Sequence, residues 1–267
     1  MTKQLDVGEL KGLLDGLSES EQRQLFMYLR RLLPKHPMEE KLMVSAEGIL
    51  EAFARAGELT VRMIRGVIAE GAFAAEVLPL LAPRWREVPI KGADRPYDFV
   101  LTDTPEGAAA RGPFPEVKVQ VKIQRSLRGQ PLYASKIWTR RKWPSTYFVA
   151  ELQKSRAGET QTGESTRPYR FGEFDLLAVS LGPSQGRWSA FIYTVERWLL
   201  PDPETPANIL KYQPVAPADC DCWTTDFNTA VSWLRGGVER RIMSDLPQIP
   251  ATSRPAGRKP AAKKRRT

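Results

Sequence analysis

The 267-residue chain reads as an α/β protein of the α+β kind: a central mixed sheet of four to five strands, flanked by helices and preceded by a helical N-terminal region. Three patterns predict it. Residues 116–125 alternate Val117, Val119, Val121 and Ile123 with Lys118, Gln120, Lys122 and Gln124, the period of a strand buried on one side. Short runs rich in β-branched and aromatic residues at 97–103, 147–153, 174–180 and 188–195 supply the other strands. Ahead of them, residues 5–34 and 45–82 carry apolar side chains at helical spacing.

In chain order, Leu10, Leu13, Leu14 and Leu17 give a first short helix its apolar face. Ser18 N-caps a second, with Glu21 in the capping-box position and Leu25, Phe26, Leu29, Leu32 and Leu33 following before Pro34 ends it. Arg30 and Arg31 read as a solvated face at the helix C-terminus, where cations are favoured. A helix from Ser45 breaks at Gly57. The stretch Leu59 to Leu81 is too apolar to lie open in water and is expected to pack on the sheet or on a partner chain. Gly66 and Gly71 inside it each cost about 1 kcal/mol against alanine, which close approach of another element would explain. Residues 103–107 read as a turn, 108–115 and 157–167 as loops, and the Pro- and Asp-rich 201–222 as a long surface excursion. Thr225 or Asp226 opens a last helix, which residues 239–243 extend. These patterns divide the chain into a helical region (1–65), a core (66–200), a C-terminal extension (201–246) and a disordered cationic tail (247–267).

The net charge of +9 favours polyanionic partners, although part of it lies in the tail. Cys220 and Cys222 stand too close for an ordinary disulfide, and with His36 as the lone histidine there is no zinc set, which suits a reduced, cytoplasmic setting. The chain opens without an apolar run, and no stretch approaches the roughly 18–20 apolar residues that span a bilayer. No membrane partner is expected.

Asp98, at the head of one strand, and Gln120 with Lys122 on the next can converge at one end of a sheet. A carboxylate and an amide oxygen are hard ligands suited to Mg²⁺, and a nearby ammonium can orient or activate a metal-bound water. Pro96-Tyr97-Asp98, a spacer and Gln120-Val121-Lys122 resemble the signature of the PD-(D/E)XK nuclease superfamily: proline–aspartate, a spacer, then Asp or Glu, any residue, Lys. One residue is inserted in the first half, and glutamine replaces the acid in the second. The resemblance covers roughly residues 66–195. It implies a restriction-endonuclease-like core, with Asp98 and Gln120 as metal ligands, Lys122 as the catalytic cation, and a further glutamate on the preceding helix. Glu70 is the candidate for that place, Glu76 its competitor. Glu151 with Lys154 is a displaced alternative for the acid–lysine pair, and Asp175 matches a supporting acidic position on a later strand.

By resemblance the expected activity is a Mg²⁺-dependent endonuclease on double-stranded DNA, leaving 5′-phosphate and 3′-hydroxyl ends. A type II restriction enzyme acting as a homodimer fits the absence of helicase or ATPase motifs and the sizeable flanks. A homing, repair or junction-resolving nuclease is the alternative on the same core, and an inert DNA-binding protein the alternative of a different class. Gln124, Arg125, Arg128, Lys136, Arg140, Arg141, Lys142, Lys154 and Arg156 are the expected DNA contacts, amides and cations beside tryptophans on one groove.

Overall fold

The structure, a computed structural model, describes residues 6–90, 92, 95–103, 115–137, 143–154 and 167–242. The chain divides into two compact units, residues 1–61 and 62–267. The basic tail, the loop at 157–166 and the turn beyond Asp103 lie outside the described residues.

The first unit is built from α1 (Val7–Asp15), α2 (Glu19–Leu32), α3 (Pro37–Leu42) and α4 (Ala46–Ala54). Ser18 and Glu21 close the expected capping box on α2. Arg30 is not a solvated cation: its guanidinium pairs with Glu39 at 2.7 Å, and Glu39 also accepts the His36 and Ala46 backbone N–H groups at 2.8 Å each. One carboxylate therefore ties the end of α2 to the starts of α3 and α4.

The division falls after the first turn of α5 (Glu58–Ala72), which continues in the second unit through a π-helical turn (Phe73–Val77) into α6 (Leu78–Leu81). Then come β1 (Trp85–Glu87), β2 (Phe99–Asp103), β3 (Glu116–Ile123), β4 (Ser126–Leu127), β5 (Gln130–Pro131), α7 (Ala134–Ile137) and β6 (Phe148–Glu151). The chain ends its described part with β7 (Leu176–Ser180), α8 (Gly182–Gln185), β8 (Phe191–Val195), a 3₁₀ turn (Glu196–Trp198), β9 (Tyr212–Val215) and α9 (Phe227–Arg235).

The main sheet has five strands in the order β1-β2-β3-β7-β8. It is mixed, as expected: β3 runs antiparallel to β2 and parallel to β7, while the remaining pairs are antiparallel. Its membership differs from the sequence reading. The run at 147–153 leaves the main sheet and pairs as β6 with β9 in a sheet of its own. β1 takes the edge instead. β9 lies inside the stretch expected to be a surface excursion, and Gln213 explains how it is held. Its amide accepts the Leu200 N–H at 2.8 Å and donates to the Leu200 and Leu210 carbonyls at 2.9 Å each. Composition pointed to a loop, and tertiary pairing overrode it.

Register sorts the faces. Phe99 pairs with Val119 and Leu101 with Val117, while Val119 and Val121 align with Leu176 and Ala178. These apolar side chains share one face, and Lys118, Gln120 and Lys122 take the other. Phe73, at the end of the long helix, rests on the apolar face, its ring 4.8 Å from Phe99 and 5.3 Å from Phe191. Phe227 of α9 meets Tyr193 and Trp85 on that face at 5.5 and 5.2 Å. Asp226 caps α9 by accepting from Asn228 and Thr229, and the helix stops at Arg235 before Gly236-Gly237, so residues 239–242 do not extend it; Met243 lies outside the described residues.

The glycines of α5 do not mark a close contact. A Cβ at Gly66 or Gly71 would meet nothing within 4 Å, and Leu59, Met63 and Val67 of the same helix are open. Only the last turns, through Ala69, Ala72, Phe73 and Val77, enter the core.

Asp103, 2 % exposed, closes the far end of β2. It takes Arg235 of α9 at 2.6 Å and Arg84 at 3.4 Å. Asp103→Ala removes the carboxylate on which both guanidiniums converge, and the expected loss is about 3–5 kcal/mol in a urea unfolding titration. A change within 0.5 kcal/mol would mean that the ion pair contributes little to holding α9.

Candidate active site

Asp98 precedes β2 by one residue, and its backbone N–H donates to the Val119 carbonyl at 3.0 Å, so the sheet sets its position. Its Oδ2 accepts two hydrogen bonds, from the Val121 N–H at 2.8 Å and the Gln120 side-chain amide at 2.5 Å. Burial raises the Asp98 carboxyl above its ordinary range, against the pull of the Lys122 charge and the Val121 N–H.

Glu70 and Lys122 answer to the same field. Burial raises the Glu70 carboxyl, the Asp98 charge raises it further, and Lys122 opposes both. Burial lowers the Lys122 ammonium, while Asp98 and Glu70 hold it up. Three groups from α5, the start of β2 and the middle of β3 thus share one poorly solvated pocket. Glu76 has no part in it: it lies in the π-helical turn and is exposed. Lys118 turns elsewhere, its ammonium 5.6 Å from the Tyr97 ring, and its backbone N–H donates to Asp175 at 2.7 Å. Asp175 accordingly joins β7 to β3 as a structural carboxylate.

Tyr169, which the sequence reading did not single out, closes the pocket. Its ring lies 5.2 Å from the Lys122 ammonium and 5.4 Å from that of Lys154. Lys154 is held there by Glu173 at 2.6 Å. Burial pushes the Tyr169 hydroxyl far up, and the charges of Asp98, Glu173 and Glu70 add to that rise. Nothing local in Arg167-Pro168-Tyr169-Arg170 announces this role, since it depends on a bridge between Gln153 and Pro168 that brings two distant segments together.

The donors fit a divalent cation. Among the described residues, neither oxygen of Glu70 nor Oδ1 of Asp98 takes a hydrogen bond. The Asp98 charge raises the neighbouring half-buried Glu70 carboxyl, and a divalent ion would relieve that repulsion. Mg²⁺ is typically held by one or two carboxylates with water completing its shell, so a larger acidic cluster is not required. No group of three or more His, Cys, Asp or Glu occurs among the described residues. Gln120 differs from the expectation: its amide nitrogen serves Asp98 and the Val121 carbonyl (3.1 Å), so it is placed as a donor and not as an oxygen ligand.

The alternative acid–lysine pair is otherwise engaged. Glu151 is bound by Arg125 and by Lys211 at 3.2 Å, and Lys154 by Glu173. The expected DNA contacts divide into three groups. Gln124 is 1 % exposed with neither amide atom hydrogen-bonded, and Arg125 is spent on Glu151 and on the Tyr212 hydroxyl at 3.1 Å, so as placed neither reaches a base. Lys154 belongs to the pocket's wall, while Arg128 and Lys136 are open to solvent. Arg140, Arg141, Lys142 and Arg156 lie outside the described residues. Trp143, expected beside the cations, instead enters a small core with Ala134, Val149 and Leu210.

No protein-family model matches the chain, and no curated protein sequence does. Among solved structures it is similar to the bacterial homing endonuclease I-Ssp6803I, at 15 % identity over 60 % of this chain and 78 % of that one. The TM-score is 0.29, an agreement too loose to bear on fold or activity.

Two outcomes follow from this geometry. Replacing the unpaired, buried Gln124 by methionine removes two unmet polar atoms, and a gain of about 1–2 kcal/mol in urea unfolding is expected. Glu196, 5 % exposed, braces the turn between Tyr169 and β7 by accepting the Gly172 N–H at 2.7 Å. Its carboxyl is raised to about 7, first by burial and then by Asp175 and Glu173, against the Gly172 bond and Arg197. The folded state therefore keeps a proton that the unfolded chain releases at its ordinary 4.5. This contribution is complete below that value and is lost as pH rises through about 7, a fall of about 3 kcal/mol. Urea midpoints measured at pH 5 and pH 8 should show that fall in the native chain and lack most of it in Glu196→Gln.

Proposed function

We propose that this protein is a Mg²⁺-dependent endonuclease that hydrolyses phosphodiester bonds of double-stranded DNA, of the site-specific type II restriction kind, acting as a homodimer. The observation that carries the reading is the meeting of Glu70, Asp98 and Lys122 in one pocket, with carboxylate oxygens unclaimed by described protein donors.

Glu70 and Asp98 would hold the cation, and Gln120 joins them if its amide turns to present oxygen. A divalent ion bound there supplies Lewis-acid polarisation of the phosphate and a more acidic bound water. The chain's own residues do the rest. Lys122 sets a positive charge where the pentacovalent phosphate gains negative charge, and can hold the attacking water by hydrogen bonding. Tyr169 shields the lysine from bulk solvent, which strengthens its field. The Val121 N–H fixes Asp98 in place without using Oδ1. Lys136, Lys154 and the cations beyond the described residues supply contacts to the DNA backbone.

One observation favours a second reading, an inert DNA-binding protein: the Gln120 amide nitrogen occupies Asp98 Oδ2, where an oxygen ligand for the metal was expected. Cleavage decides between them. Long duplex DNA with Mg²⁺ should give discrete fragments with the native chain and none with EDTA. Asp98→Ala, Lys122→Ala and Glu70→Gln should each lower the cutting rate by a factor on the order of 10² or more, while Glu76→Gln cuts normally. Duplex binding without cutting under any metal would leave the inert reading standing. A smear in place of fragments would remove the restriction assignment but keep the nuclease.

A further inference from the structure

The strand that carries Lys122 does not end at the site. After Gln124 and Arg125 the chain forms a small ribbon in which Ser126 pairs with Pro131 and Leu127 with Gln130, leaving Arg128 and Gly129 as its two-residue turn. Both turn residues have positive φ, 51° and 77°, as a type I′ hairpin requires. Glycine takes the second position without strain. The first position favours asparagine, aspartate or glycine, and arginine there is strained. That strain is not offset inside the protein, because Arg128 has no hydrogen bond, ion pair or ring contact among the described residues and is exposed. Leu127 beside it is 61 % exposed.

The ribbon is held firmly at its base. The Leu132 N–H donates to the Arg125 carbonyl at 2.9 Å, and the Tyr133 ring lies 5.5 Å from Phe148. Arg65, on the helix that carries Glu70, donates to the Ser126 hydroxyl at 2.7 Å. The tip is thus an exposed cation and an exposed aliphatic side chain on a rigid stem, tied to two elements of the pocket.

The geometry points to this ribbon as a DNA-reading element that enters the major groove beside the cleaved phosphate, with Arg128 on a guanine edge and Leu127 against a neighbouring base or thymine methyl group. It rests on the nuclease reading for its ligand and adds the groove, the element and the base to it. The major groove admits a two-stranded ribbon, and arginine to the guanine O6 and N7 atoms is the commonest specific contact there. Arg128 lies six positions beyond Lys122, at most about 20 Å of strand. The base read therefore lies within about six base pairs of the cut, at 3.4 Å per base pair along the duplex.

Arg128→Asn tests the inference, because asparagine keeps the left-handed turn and loses the charge. The probe is a pool of short duplexes with a randomised centre, bound to the full chain in EDTA so that nothing is cut, then selected and sequenced. The native chain should enrich a motif containing guanine. Arg128→Asn should lose the preference at one guanine, by about 10- to 100-fold, with the rest of the motif kept and the thermal midpoint unchanged or higher. Replacing that guanine by 7-deazaguanine should weaken the native chain and leave the variant unaffected. An unchanged motif and affinity in Arg128→Asn overturns the inference, as does an equal loss for every sequence, which marks a phosphate contact only. If the native chain cuts DNA and the variant enriches the same motif, the hairpin reading alone fails. If the native chain neither binds nor cuts duplex DNA, the nuclease reading fails and takes this one with it.

Discussion

β3 is hydrogen-bonded on both edges, antiparallel to β2 and parallel to β7, and most of the pocket depends on that double constraint. Its antiparallel side brings the residue before β2 level with Val119 and Val121, so the Asp98 backbone and carboxylate are both tied to β3. Its parallel side fixes Asp175 against Lys118 and so places the segment 169–175 that bears Tyr169 and Glu173. A slip of one residue in either pairing would turn Gln120 and Lys122 into the apolar core and bring Val119 and Val121 out.

The pocket's electrostatics follow from how little water reaches it. Two carboxylates and one ammonium face each other where desolvation is the first cause of every shift, raising the acids and lowering the lysine. The Lys122 charge offsets only part of the cost of burying the two acids. The neighbouring cluster shows the contrast. Glu151 is paired with both Arg125 and Lys211, so similar residue types form a brace there.

Unmet polar groups mark the same division. Gln213 and Gln124 are both buried glutamines, yet Gln213 bonds through both amide atoms and organises the loop before β9, whereas Gln124 bonds through neither. Gln124 follows the last residue of β3, where its N–H still donates to the Ser180 carbonyl and a bridge to Ala150 begins. Backbone pairing continues there, and only the side chain is left unmet.

Local sequence determined the periodic and the capped elements. The alternation at 116–123, the box at Ser18–Glu21, the cap at Asp226 and the placing of Asp98 near β3 each depend on residues close together, or on a face that period two assigns without further information. Tertiary structure alone decided which strands joined the main sheet. β6 and β9 pair with each other because a buried glutamine draws the 200–213 loop shut, and no pattern within either strand encodes that partner. It likewise decided that Glu70 and not Glu76 meets Asp98, because the helix enters the core through Ala69, Ala72 and Phe73 while Glu76 falls on the exposed side of the π-helical turn. Tyr169, Glu173 and the fate of Arg125 belong to the same class. Each is set by groups dozens of residues away, where the energy of a contact depends on burial and distance, and neither quantity is local to the chain.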